Sequence, residues 1–161
     1  MLATVPGVDD EHDPTAEDTE AIVRRLLDAI DARDLDRVAA CLTEDATWQN
    51  VPHPVTSGRD EVVGMLARIV TLCEHVEWEV VSEAYVGDRA WLERVDRFWI
   101  DGECHSVCCN GVVTVDREQG LVRSFRDYVD LGEWRERIAP VLQRRAERQT
   151  DSADSAGAGT P

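Results

Sequence analysis

The sequence predicts an α+β domain in which helices come first and a long, curved, mixed but mainly antiparallel sheet then folds round them as a cone. Three observations carry this. Apolar residues recur at helical spacing up to about Thr71, and from His75 onward the period changes to alternation. Short links at Gly87-Asp88 and Asp101-Gly102, and a turn reaching Gly120, separate candidate strands at about 75–86, 90–100, 104–116 and 121–130, so that successive strands run antiparallel. At 161 residues the chain suits one domain, long enough to bury a single core around a small-molecule pocket.

Residues 1–14 are acidic, rich in turn formers and without an apolar period, and are expected to be a disordered tail outside a single domain spanning 15–149. Thr15-Ala16-Glu17-Asp18 resembles a capping box, and Ile22, Val23, Leu26, Leu27 and Ile30 form the stripe of a first helix running to about Arg33. Asp34 suits the cap of a short second helix through Leu35, Val38 and Leu42. Residues 46–51 form a short strand ended by Pro52 and Pro54, neither of which can continue a central ladder. Ser57 with Asp60 signals a third helix, striped by Val62, Leu66, Ile69 and Val70. After the four strands, Asp130 with Glu133 caps a terminal helix that Pro140 is expected to break or restart. Residues 150–161, rich in Ser, Ala, Gly and Thr, are expected to be a disordered tail.

Composition removes several function classes. A net charge of -16, from 33 acidic against 17 basic residues, opposes a phosphate-backbone partner, so no nucleic acid is expected, and it opposes an anionic membrane surface as well. Every cation is Arg; without Lys there is no Schiff base and no phosphate-loop lysine. No basic, apolar signal opens the chain and no run reaches membrane-spanning length, so the expectation is a soluble cytoplasmic protein. Five Cys, an odd number without a disulfide-framework spacing, suit a reducing compartment. In Cys104-His105-Ser106-Val107-Cys108-Cys109 the strand alternation puts Cys104 and Cys108 on one face and His105 and Cys109 on the other. The four therefore cannot converge on one metal, and no metal site is expected.

What remains is acid–base chemistry or none, and one strand carries the parts of the former. In Leu92-Glu93-Arg94-Val95-Asp96-Arg97-Phe98, Arg94 and Asp96 share a face, about 6.5 Å apart along the strand, while Val95 points the other way. Lining a cavity, a buried Asp beside a fixed cation is a proton donor or acceptor in need of a partner. Asp127, in Phe125-Arg126-Asp127-Tyr128-Val129-Asp130, is the candidate partner.

Trp48-Gln49-Asn50-Val51-Pro52, Glu93-Arg94-Val95-Asp96 and Arg126-Asp127-Tyr128-Val129-Asp130, in this order and at these separations, resemble the three active-site motifs of the limonene-1,2-epoxide hydrolase family. The resemblance extends from about Glu20 to Trp134. It implies a cone of the SnoaL-like, nuclear-transport-factor-2-like (NTF2-like) type, a homodimer, and hydrolysis of an epoxide to a vicinal diol without cofactor or metal. Carried over, Asp96 is the acid that protonates the epoxide oxygen and Asp127 the base that takes a proton from water. Arg94 bridges them, Asn50 holds the water, and no ester forms with the enzyme. The family has Tyr where this chain has Trp48, and an indole N–H donates but cannot accept. By strand parity and by the resemblance, Leu27, Ile30, Ile69, Phe98, Val107, Cys109 and Val129 form an apolar wall for a small hydrophobic epoxide, with water as co-substrate.

Two other functions fit the same residues. A SnoaL-like cyclase or ketosteroid-isomerase-like enzyme also moves protons with cavity carboxylates. A non-catalytic small-molecule binding module would use Trp48 to close off the site.

Overall fold

Helical stripes and alternating strands fall where their periods place them in the computed structural model, which describes residues 14–157 and the side chains of 18–151. Helix α1 (Pro14–Asp31) opens with proline at its first position, where a missing N–H breaks no helical bond. Helix α2 (Leu35–Ala40) is capped as expected, the Asp34 carboxylate accepting from the Arg37 amide at 3.0 Å. Strand β1 (Leu42–Asn50) starts well before 46, and the early part escaped the alternation because Glu44 and Asp45 are both exposed where the pairing with the last strand slips. A two-residue strand, β2 (Thr56–Ser57), leads into α3 (Arg59–Val70). The Ser57–Asp60 box does not form; the cap is Gly58, held at φ 97°, a conformation that glycine reaches without strain.

Strands β3 (His75–Val86), β4 (Arg89–Ile100), β5 (Glu103–Asp116) and β6 (Leu121–Val129) follow. With β1 and β2 they make a six-stranded sheet of order β2-β1-β6-β5-β4-β3 among the described residues, antiparallel except for β1 beside β6, which run parallel. The parallel pair brings the end of β1 against the end of β6, with Asn50 opposite Asp127. On β4 the alternation is complete: Ala90, Leu92, Arg94, Asp96, Phe98 and Ile100 are buried while their neighbours are partly or fully exposed.

Helix α4 (Leu131–Glu133) is capped by Asp130, whose Oδ1 accepts from the amides of Gly132 and Glu133. Pro140 does not break the helical run. Lacking an N–H, it cannot bond back to Glu136, and the backbone widens just before it into a π turn (Trp134–Ile138) in which the Ala139 amide reaches Trp134. Helix α5 (Ala139–Gly157) then runs past the expected boundary at 149, so 150–157 are helical rather than disordered. Propagating a nucleated helix needs only one bond per residue fixed, and the alanines here are strong helix formers. The tail expected at 1–14 lies outside the described residues except for Pro14, as do 158–161. No helix among the described residues is long and apolar enough to cross a membrane.

Helix α1 packs chiefly on β3, burying Val23, Leu26, Leu27 and Ile30 in the core, each contributing about 1.5–3 kcal/mol. This corrects the expectation for Leu27 and Ile30. Both are core residues, 4% and 1% exposed, and neither lines the cavity described below, because the cavity opens beneath α3 and the C-terminal helical segment instead of beneath α1.

Candidate active site

At the floor of a cavity of about 280 Å³, one guanidinium holds two carboxyl groups. Arg94, on β4, is bidentate to Asp96 on its own strand: Nε donates to Oδ1 at 3.0 Å and Nη2 to Oδ2 at 3.1 Å. The same Nη2 donates to Asp127 Oδ1, across β5 on β6, at 2.9 Å. Arg94 is 1% exposed, Asp96 6% and Asp127 4%, so the set is desolvated, yet both carboxyls touch the cavity. The Arg94 guanidinium lies over the rings of Trp78 and Phe125, its Cζ 4.3 and 5.1 Å from their centroids.

The two carboxyls have unlike surroundings. Burial raises the pKa of Asp96 above the usual carboxylate range; Arg94 pulls it back down, and the negative charges of Asp127 and Asp31 push it up again. Asp127 is the focus of donors: besides Arg94, the Trp48 indole Nε1 reaches Oδ2 at 3.2 Å and the Cys109 thiol reaches Oδ1 at 3.3 Å. Burial opposes the charge on Arg94, but Asp127 and Asp96 more than offset it and raise its pKa, so the guanidinium stays charged. With both acids ionised the buried set carries net charge -1. With a proton on Asp96 it is neutral, which is the arrangement that low dielectric favours.

Trp48 differs from expectation in what its N–H does. The indole is 1% exposed, stacked on Phe125 at 4.2 Å and 8°, and its one donor points at Asp127. It is therefore a ligand of the carboxylate, and a water in the cavity must be held by other groups. Asn50 lines the cavity beside Asp127, with the Val51 amide bonded to the Asp127 carbonyl at 2.8 Å; the Asn50 side-chain amide makes no hydrogen bond with the described residues. Cys109 also exceeds its expected part. It lines the wall, but its sulfur accepts from Arg94 Nη2 at 3.5 Å and donates to Asp127, and burial, followed by the charge of Asp127, raises its pKa so that it remains a thiol.

Ile69, Phe98, Val107 and Val129 line the cavity, while Leu27 and Ile30 do not. Parity and spacing did not single out Trp78, Met65 and Leu66 on the wall, or His53, Trp134 and Arg135 at other points of the lining. Trp78 was within reach of a register argument: it pairs directly with Asp96 across β3 and β4. Among the described residues no group of three or more His, Cys, Asp or Glu is arranged to hold a metal ion.

Comparison with solved structures bears on the fold. The chain is similar to an LEH-like epoxide hydrolase from M. tuberculosis, with 23% identity, a TM-score of 0.63, and coverage of 86% of this chain and 99% of that one. It is similar to a protein from Shewanella putrefaciens CN-32 named after the SnoaL-like polyketide cyclases, with 11% identity, a TM-score of 0.67, and coverage of 75% and 96%. A protein of ketosteroid-isomerase-like fold from Catenulispora acidiphila DSM 44928 matches with 20% identity, a TM-score of 0.60, and coverage of 70% and 87%. Proteins named after different chemistries thus share this NTF2-like cone, and the fold does not choose between them. The sequence model of the SnoaL-like domain matches residues 23–125, taking in Trp48, Arg94 and Asp96 and ending just short of Asp127, and the chain belongs to the SnoaL-like domain family.

Proposed function

We propose that the chain is an epoxide hydrolase that adds water to a small hydrophobic epoxide in one step, giving a vicinal diol. The observation that carries this reading is the single guanidinium shared by two buried carboxyls of unlike surroundings at the floor of a mainly apolar cavity. Opening an epoxide requires a proton for the departing oxygen and, on the opposite side of the carbon, a water stripped of its proton. Protonated Asp96 supplies the first and Asp127 receives the second, while Asn50 orients the water by its free amide. Arg94 stays charged throughout and fixes the two carboxyls in relative position. The proton gained by Asp127 then returns to Asp96 before the next turnover.

A proton-shuttling cyclase or isomerase needs one base and a group to polarise a carbonyl; it has no use for a second carboxyl bound to the same guanidinium. The shared guanidinium therefore favours epoxide opening over a cyclase or isomerase reaction in this chain. A homodimer belongs to the same proposal, and sedimentation of the purified chain checks it.

The test is to incubate the purified protein with a panel of racemic epoxides and look for diols. In ¹⁸O-labelled water, a single turnover with enzyme in excess puts the label in the diol; unlabelled first-turnover diol would mean a carboxylate nucleophile and an ester. Trp48→Phe keeps the aromatic stack on Phe125 and removes one donor from Asp127. A bond to a charged acceptor is worth about 1.5–3 kcal/mol, so turnover should fall roughly tenfold or more. Equal rates for Trp48→Phe and wild type would reduce Trp48 to packing.

A further inference from the structure

We infer that Gly111 is a positioning residue of this site, left without a side chain so that Arg94 on β4 can reach over β5 to Asp127 on β6. The inference rests on the proposed function for its kinetic part and on geometry alone for the rest.

Adjacent strands lie about 4.8 Å apart, so a β4 side chain that bonds a β6 side chain must pass over whatever β5 presents between them. In the register found here, Arg94 sits opposite Cys109, and Gly111 sits opposite Asp127 on one side and Leu92 on the other. The guanidinium therefore lies over the Gly111 position. A Cβ built there would come within 2.6 Å of Arg94 Nη1, 2.8 Å of Phe125 Cε1 and 3.2 Å of Asp127 Oδ1. The first two are closer than real Cβ atoms come. The guanidinium has little freedom to withdraw, with Nε and Nη2 engaged by the two carboxyls and the plane held over Trp78 and Phe125.

Arg94 Nη1 supplies an independent sign. It is buried without a hydrogen-bond partner among the described residues, and the Cβ missing from Gly111 is what leaves it room. An orphaned buried donor is unfavourable, and here it accompanies the reach of Nη2 to Asp127. Gly111 is not in a left-handed turn; its lack of a side chain answers to close approach and not to backbone conformation.

The experiment compares wild type, Gly111→Ala, Phe125→Leu and the double variant Gly111→Ala/Phe125→Leu by crystal structure, thermal melt and epoxide kinetics. The leucine removes the ring edge that an alanine would strike, so the double variant is expected to fold where Gly111→Ala alone does not, while the collision with Arg94 remains. Expected are an Arg94 Nη2 to Asp127 Oδ1 separation beyond hydrogen-bond range and a kcat about a hundredfold below that of Phe125→Leu, with little change in KM. A double variant that keeps the Arg94–Asp127 bond, or that turns over as fast as Phe125→Leu, overturns the inference. If wild type forms no diol from any epoxide, the proposed function fails, and the crystallographic distance still decides the role of Gly111.

Discussion

Asp96→Asn and Asp127→Asn should each lower diol formation by about 10²–10⁴-fold, the usual worth of a general acid or base, while leaving the fold intact. The two losses have different origins. Asn at 127 can still accept from Trp48 or Arg94 through its carbonyl, but it cannot take a proton from water. Asn at 96 still accepts from Arg94 but has no acidic proton to give. The pH dependence separates them further. Burial, opposed by Arg94, raises the pKa of Asp96 in the fold, so its contribution to stability is fully present below the unfolded carboxylate pKa and is lost as pH rises through the folded value. Wild type should lose turnover and this increment of stability together over that interval, because the acid is deprotonated and a charge is buried in the same step. Asp96→Asn carries no such charge, and its stability should be flat there. Initial rates and urea melts at matched pH values check both. An Asp96→Asn variant with near-native turnover, or a wild-type rate that rises through the same interval, would mean that Asp96 is not the acid.

How much of this was legible before the structure depends on which physical rule each residue obeys. Arg94 and Asp96 were placed on one face by the period of a strand, and the burial of every second residue of β4 follows from that same period. Ile69, Phe98, Val107 and Val129 reached the cavity by similar parity. Leu27 and Ile30 show the limit of the helical equivalent. A stripe on α1 states that a face is buried but not against what, and here it is buried in the core. Trp48 was found, but the direction of one N–H is a property of the packed state, set by the stack on Phe125 and the parallel pairing of β1 with β6. Gly111 was hidden for a different reason. A glycine inside a strand signals a bulge or a close approach, and only the register across β4, β5 and β6 reveals that the approaching group is Arg94. Helix α5 beyond 149 illustrates compositional bias, since a Ser- and Ala-rich segment reads as a tail unless the preceding helix is already nucleated.

Arg94→Met should abolish turnover and cost about 3–5 kcal/mol of stability at neutral pH, the range found when one partner of a buried ion pair is removed. Methionine fills much of the channel between Trp78 and Phe125, so the loss is electrostatic more than steric. Without the guanidinium, Asp96 and Asp127 are left buried with no cation between them, each raising the free energy of charge on the other. The carboxyl of Asp96, already raised by burial, loses the opposing pull of Arg94, and the sign of linkage follows: stability is retained at low pH, where Asp96 is protonated, and lost as pH rises through its raised folded value. The deficit of Arg94→Met should therefore be smallest at acidic pH and grow as pH rises through the raised folded value of Asp96. Arg94→Lys separates charge from geometry. It returns a cation but not the planar fork that serves Asp96 through Nε and Nη2 while Nη2 also holds Asp127, so it should recover much of the stability and little of the rate. Urea melts of the three proteins across this pH range, with single-turnover rates on the best epoxide, provide the measurement. A stability deficit that does not vary with pH would show that the carboxyls were never held by Arg94. Near-native turnover by Arg94→Lys would show that a point charge is enough, and the shared guanidinium would lose its place as the organiser of the acid and the base.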